Sequence, residues 1–463
     1  MFEDVLMLKG SYKKVFKKLF FLFLLFSLIK PLHLYSDIYS VYVDKFLNWI
    51  NENSDKDTGL PFSHIGDERF KDWTITYDSA VVALAYIATG EIKKAEKIID
   101  FYINNQKIWR LGGIIEAICV KNPVLGEDWS VRAGSNLWIG IASFNLYKKI
   151  QKEKYLKFSE KIADFAISLQ NKDKEDFNFG GIRLGPKGEG RVACDQHLDW
   201  DINQPSFWQV YATEHNIDAY ALFNMLYQET KEKKYKEAKE KVLSWLKRVG
   251  FNKKESRFNR GAREGKYGVK IDKEVATDVH SWAISALGPE ILNKWQPDLA
   301  EKIIEFVEKN CLVEVKFIKP NGEVVKVKGV DFVSKERAKN LNRPSMVSPE
   351  WTFQLINAYR RMENYYKQKR NFKKMREFKT KREDLIKNML KLAIEINNSL
   401  AYPYATLPEV VISHEFKTPK EGILSVIGVA WAVLVLKGYD PLIFPDQLFQ
   451  LTELSWNLMI IKL

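Results

Sequence analysis

Three cysteines in 463 residues, Cys119, Cys194 and Cys311, show neither metal-ligand spacing nor even pairing. A disulfide framework or zinc cluster is excluded, and each thiol reads as a buried apolar residue. Also absent are a glycine-rich phosphate loop, a nucleophile elbow and a dinucleotide fingerprint, with the chemistries they serve. No nucleic-acid motif accompanies the basic stretches, so neither DNA nor RNA is expected as a partner. No cofactor is expected. His197, Asp199 and Asp201 alternate in a long loop, a pattern too weak to argue a metal.

The apolar run near the start, Leu19–Ile29, has eleven residues, short of the roughly 20 that cross a bilayer. A flank of Lys9, Lys13, Lys14, Lys17 and Lys18 and a stop at Lys30-Pro31 make it an export signal. Residues 1–36 are therefore expected to send the chain to the periplasm or cell surface. Leu34-Tyr35-Ser36 is a poor cleavage site, so an uncleaved membrane anchor is the alternative. A buried structural helix is the other alternative.

What the chain does have is apolar bulk. Hydrophobic residues make up 46% and aromatics 13%, with 13 tryptophans, enough for a large core. Net charge is +13; six leader lysines against Glu3 and Asp4 account for +4, leaving +9. Much of it lies in Lys367–Lys391. Such a run is ordinarily a solvated helix face; an anionic polymer or membrane surface is the livelier reading.

Residues 211–227 organise the rest. Thr213 is expected to cap a helix, with Glu214 at the positive end of its dipole. From Ile217 to Tyr227 only Asp218 and Asn224 interrupt the apolar residues, so this helix is buried all round. The pattern recurs: long loop, apolar helix, short turn, amphipathic helix, roughly every 60–80 residues and about six times. Apolar helices are expected to start at Tyr77, Ser135, Thr213, Thr277, Ser348 and Ile423. The alternation predicts an all-α fold, an (α/α)6 toroid of about twelve helices in two concentric rings. It spans 37–440, with 441–463 as a tail. Alternating residues around Asn321-Gly322 predict a β-hairpin inserted at 313–330. The long loops all precede inner helices, so loops and inner N-termini share one face, where function is expected.

Four inner helices start with a carboxylate: Asp78, Glu214, Asp278 and Glu350. Each alone is explained by the helix dipole. Four in one ring, beside aromatic residues and His215 and His280, suit a sugar chain, whose apolar faces lie on flat rings. With Tyr77-Asp78, Thr213-Glu-His-Asn-Ile-Asp-Ala-Tyr, Thr277-Asp-Val-His-Ser-Trp and Ala401-Tyr-Pro-Tyr-Ala-Thr, the chain resembles the six-hairpin glycosidases, bacterial (α/α)6 hydrolases. The resemblance covers about Asp37 to Asp440 and concerns layout, without selecting a family or substrate. It implies hydrolysis or binding of a poly- or oligosaccharide, with cleavage by inversion through two carboxylates.

Adjacent helices lie roughly 8–10 Å apart, compatible with the roughly 6.5–9.5 Å of an inverting pair. The expected roles are Glu214 as general acid and Asp278 as general base, with Asp78 the rival base. Tyr77, Trp129, Arg132, Trp208, His215, His280, Trp282, Glu350 and Tyr404 are the expected substrate-binding residues. Two alternatives stay open. One is a non-catalytic carbohydrate-binding or assembly protein; the other is a polysaccharide lyase using Tyr402, Tyr404, His215 and Arg132.

Overall fold

The computed structural model describes residues 39–122, 126–188, 206–265, 268–413 and 417–444. The leader, the His197, Asp199 and Asp201 pattern and the end of the tail lie outside them. Among the described residues no helix is long and apolar enough to cross a membrane.

Six helices form the inner ring: α2 (Thr76–Thr89), α4 (Ala133–Ile150), α6 (Thr213–Thr230), α8 (Thr277–Trp295), α11 (Pro349–Gln368) and α13 (Val426–Leu436). Each contacts the next in that order, and α13 returns to α2, so the ring closes. Five outer helices, α3 (Ile92–Asn104), α5 (Glu153–Ser168), α7 (Lys233–Trp245), α9 (Leu299–Asn310) and α12 (Phe372–Leu392), each pack on the inner helix just before them. The sixth outer place goes to α1, residues 39–52, from the far end of the chain. Its Asn51 Oδ1 accepts from Tyr86 Oη of α2 at 2.9 Å, and Phe46 stacks on Tyr402 at 5.3 Å. A short α10 (Lys335–Asn340) is the one extra helix among the described residues.

Burial follows the spacing that predicts it. In α13 every residue from Val426 to Val435 is buried, whereas α3 buries only Ala95, Glu96, Ile98, Ile99 and Tyr102. The basic run lies on α12, where Lys381, Arg382 and Lys374 pair with Glu308, Glu363 and Glu301. It is a solvated outer face laced with ion pairs, each worth little. Leu312–Ile318 pairs antiparallel with Val324–Val330, Leu312 opposite Val330, around the expected turn.

One repeated device fixes how inner helices begin. The fourth residue of four of them clasps the preceding loop. Asn136 holds Ile114 at both N–H and carbonyl (2.8 and 2.9 Å), and Asn216 holds Ile182 likewise (2.7 and 3.1 Å). His280 Nε2 accepts from Phe258 N–H at 3.3 Å, and Thr352 Oγ1 from Val330 N–H at 3.0 Å. Meanwhile the first N–H of a helix goes to the loop of the next repeat: Thr76 to Glu116, Ala133 to Leu184, Thr213 to Arg260, Thr277 to Phe332. The loops are thereby stitched round one rim.

This stitching corrects the expected capping. Thr213 is the first helical residue, Ala212 takes the cap place, and Thr213 Oγ1 makes no hydrogen bond. Thr76 and Thr277 also open their helices, donating to the Ile115 and Asp331 carbonyls at 2.8 and 2.7 Å. Ser348 does cap, accepting from Trp351 N–H at 3.3 Å. Where an extended loop runs straight into the helix, neighbouring carbonyls claim the free N–H groups and a side-chain cap is redundant.

Candidate active site

All six inner N-termini converge on one cavity of about 300 Å³. Its wall carries Tyr77 and Asp78 of α2, Ser135 and Trp138 of α4, Glu214, His215 and Asp218 of α6, Asp278 and Trp282 of α8, Glu350 and Trp351 of α11, and Ile427 of α13. Loop residues Glu116, Arg132 and Tyr404 join them. Residues four apart share a helix face, so Asp218 lies one turn below Glu214, Trp282 below Asp278, and Gln354 below Glu350. Trp138 fills the floor, 5.2 Å from the Trp282 ring and 5.7 Å from Trp431.

The carboxyls are held out of water. Burial pushes Asp78 up to about 7, with Glu116 adding to the rise and a Ser63 hydrogen bond opposing it. Burial likewise raises Glu350 to about 8, aided by Asp78 and Glu214. Opposing that rise, Tyr77 Oη donates to Glu350 Oε1 at 2.7 Å and Gln354 Nε2 at 3.1 Å. Asp278 is pushed well above the carboxylate range by burial, then by the charge and hydrogen bond of Glu214. Asp218 is raised by burial and the Glu214 charge, and Glu116 by burial against the pull of Arg132. Charged forms are disfavoured because the groups are buried and acidic neighbours repel.

Glu214 and Asp278, expected as an inverting pair, head neighbouring helices and line the same cavity, where the charge and hydrogen bond of Glu214 add to the rise of Asp278. His215 Nε2 stands 3.3 Å from Glu214 Oε1. A Cβ on Gly134 would come within 2.4 Å of that nitrogen, so glycine there makes room for the imidazole.

Beside this cavity opens a second, of about 360 Å³, sharing Leu184, Glu214, Trp351 and Tyr404 with it. Phe332 forms part of its wall, stacked on Tyr404 at 5.6 Å and edge-on to Trp351 at 4.7 Å. Glu214, with its side chain 34% exposed, sits where the two meet.

Of the expected residues, Glu214, Asp278, Asp78, Tyr77, Arg132, His215, Trp282, Glu350 and Tyr404 all line the central cavity. Three do not. His280 is buried, with Nδ1 2.9 Å from the Ala276 carbonyl and its ring stacked on Phe306, and burial lowers it to about 4. It does the clasping work that asparagine does in α4 and α6. Trp129 packs under Gly126, its carbonyl accepting from Arg110 at 2.9 Å. Trp208 lies beneath the Arg183 guanidinium, 4.3 Å from its ring centre. Asp218, Glu116 and Trp138 were not among the expected site residues, although Asp218 is four residues beyond Glu214 and shares its helix face. Among the described residues no group of three or more histidines, cysteines or carboxylates could hold a metal.

No family model matches the sequence, and no curated protein does. Solved structures do match. A family 76 α-mannanase from Bacteroides thetaiotaomicron aligns over 86% of this chain and 94% of its own, with TM-score 0.56 and 12% identity. A sugar epimerase from a ruminal bacterium aligns over 88% and 99%, with TM-score 0.58 and 11% identity. The third is an inactive α-1,6-mannanase variant from Salegentibacter in complex with α-1,6-mannotriose. It aligns over 87% and 99%, with TM-score 0.53 and 12% identity. At these identities the likeness is one of fold: the chain shares the (α/α)6 toroid of these structures. That variant has two consecutive aspartates replaced by asparagine. This chain has no consecutive aspartates, so those residues do not carry over.

Proposed function

We propose that the protein is a carbohydrate-active enzyme that hydrolyses a glycosidic bond in a poly- or oligosaccharide. The observation that carries this reading is Glu214, placed where two cavities meet and beside Asp278, whose carboxyl is pushed well above its ordinary range. A sugar unit in each cavity would set the connecting oxygen beside that pair. The Glu214–Asp278 unit is then the general acid. Asp78, held to about 7, is the general base, partly ionised at neutral pH and able to activate water. Helices α2 and α6 are separated by α4, so their axes stand roughly 15 Å apart at ordinary spacing. Inward-pointing side chains shorten that span and leave room for water, as inversion requires.

The test is a panel of oligosaccharides with products followed by mass spectrometry and NMR. The hydrolase reading expects products that gain one water and show inverted anomeric configuration at first release. A fragment one water lighter than the hydrolysis product, ending in a new carbon–carbon double bond, would identify a lyase. An unchanged mass with altered ring stereochemistry would identify an epimerase, the activity in the name of one fold relative. No change in any substrate would favour a binding protein.

We further propose that residues 1–36 direct export, leaving 37–440 as the catalytic body and 441–463 as a tail. The basic flank and eleven-residue apolar run support this. A reporter active only after export, fused behind residues 1–40, is expected to be active; an inactive cytoplasmic fusion overturns it.

A further inference from the structure

Asp218 is the least explained group in the protein. It is fully buried, it faces the central cavity, and neither of its carboxyl oxygens makes a hydrogen bond. Trp138 Nε1 is turned toward it without closing one. Across the cavity Trp282 Nε1, Asp278 Oδ1, Glu116 Oε2 and Arg132 Nε are also buried and unpartnered. Buried polar atoms in folded proteins are nearly always paired, so such a concentration round one cavity marks the cavity as built for something polar.

The set mixes both kinds of atom. Trp138, Trp282 and Arg132 offer N–H donors, and the three carboxyls offer acceptor oxygens. A hydroxyl donates and accepts at once, so it can bridge an Asp218 oxygen and a neighbouring N–H where a purely anionic or cationic group could satisfy only half. Volume narrows the choice further. About 300 Å³ is at the bottom of the range for small-molecule pockets, roughly 300–1,000 Å³, room for one ring and its substituents. The Trp138 and Trp282 faces supply the apolar contact such a ring needs.

We propose that Asp218 is a substrate-binding residue, closing with Trp138 and Trp282 a subsite for one sugar ring with free hydroxyls. This rests on the carbohydrate reading above, though not on hydrolysis.

The experiment is a binding measurement on the full chain by calorimetry. It uses mannose, glucose, galactose and xylose, then the monodeoxy analogues of whichever sugar binds. Wild type should bind at least one of the four, and one of its deoxy analogues about tenfold more weakly, the size of one lost hydrogen bond. Asp218→Asn and Asp218→Ala should each weaken the parent sugar by about that factor and leave that deoxy analogue's affinity unchanged. A merely structural carboxyl would weaken both sugars alike. The proposal is overturned if none of the four binds, if parent and analogue weaken together, or if both variants fail to fold. Obedience to this cycle with no oligosaccharide cleaved upholds the subsite and sinks the hydrolase reading. Cleavage with binding insensitive to Asp218 does the reverse.

Discussion

Tyr77 Oη, at the head of α2, donates at 2.7 Å to Glu350 Oε1 at the head of α11, across the place occupied by α13. Trp431 Nε1 of α13 donates to the same tyrosine oxygen at 3.0 Å. The three helices are thus tied at the mouth, and the tie favours the charged form of Glu350. Tyr77→Phe should therefore push Glu350 above its present level of about 8. It should also cost about 1–3 kcal/mol, because a buried donor and acceptor lose their partner. Carbon-13 titration of the Glu350 carboxyl and the melting temperature check both; an unmoved titration would remove the tie.

Glu214→Gln and Asp278→Asn should each lower turnover by about 10²-fold or more with the fold intact, since either change removes a carboxyl of the proposed acid. Asp78→Asn should do the same through loss of the base. If all three keep wild-type rates on a substrate the wild type cleaves, the acid ring is structural and the chemistry lies elsewhere.

Stability should fall with rising pH across the neutral range. Asp78 and Glu350 have folded values near 7 and 8, above their ordinary values of 3.8 and 4.5. The folded state then binds more protons than the unfolded one. Their contribution is complete below the lower values and lost as pH rises through the higher ones. Melting temperature measured from pH 5 to 9 should decline, and Asp78→Asn with Glu350→Gln should flatten the decline. A wild-type curve flat over that range would contradict both shifts.

His280→Asn should be tolerated better than His280→Ala, because asparagine serves at the same place in α4 and α6. The alanine variant loses the Phe258 N–H acceptor and leaves a hole, costing about 3 kcal/mol. Neither should alter turnover. His280 is lowered to about 4, so its contribution is present above the unfolded value of 6.5 and disappears as pH falls through 4. Acid melting curves of the asparagine variant should be correspondingly flatter.

Gly134→Ala would normally help a helix by up to about 1 kcal/mol. Here the added methyl meets His215 Nε2, the movable end of a side chain. The melting temperature should barely change while turnover or sugar binding drops. Unchanged activity would mean that His215 has no part in the site.

The two rings, and the gathering of the inner N-termini on one rim, were legible in the sequence. A helix buried on every side and a helix buried on one stripe differ in how apolar residues repeat, and that repeat depends on the chain alone. The β-hairpin at 313–330 was legible for the same reason, and Asp218 could have been, by its spacing from Glu214. The rest needed the tertiary structure. Thr213 has the chemistry of a cap, but a loop carbonyl 47 residues on, at Arg260, takes its N–H. His280 has the chemistry of a site residue, yet its neighbours turn it into a clasp. Glu214 and Asp278 are apart in sequence, and only the packing of α6 on α8 brings them to one cavity. A side chain's character is carried by its sequence; its protonation and partners depend on which atoms distant segments bring within about 3 Å of it and on how much water they exclude.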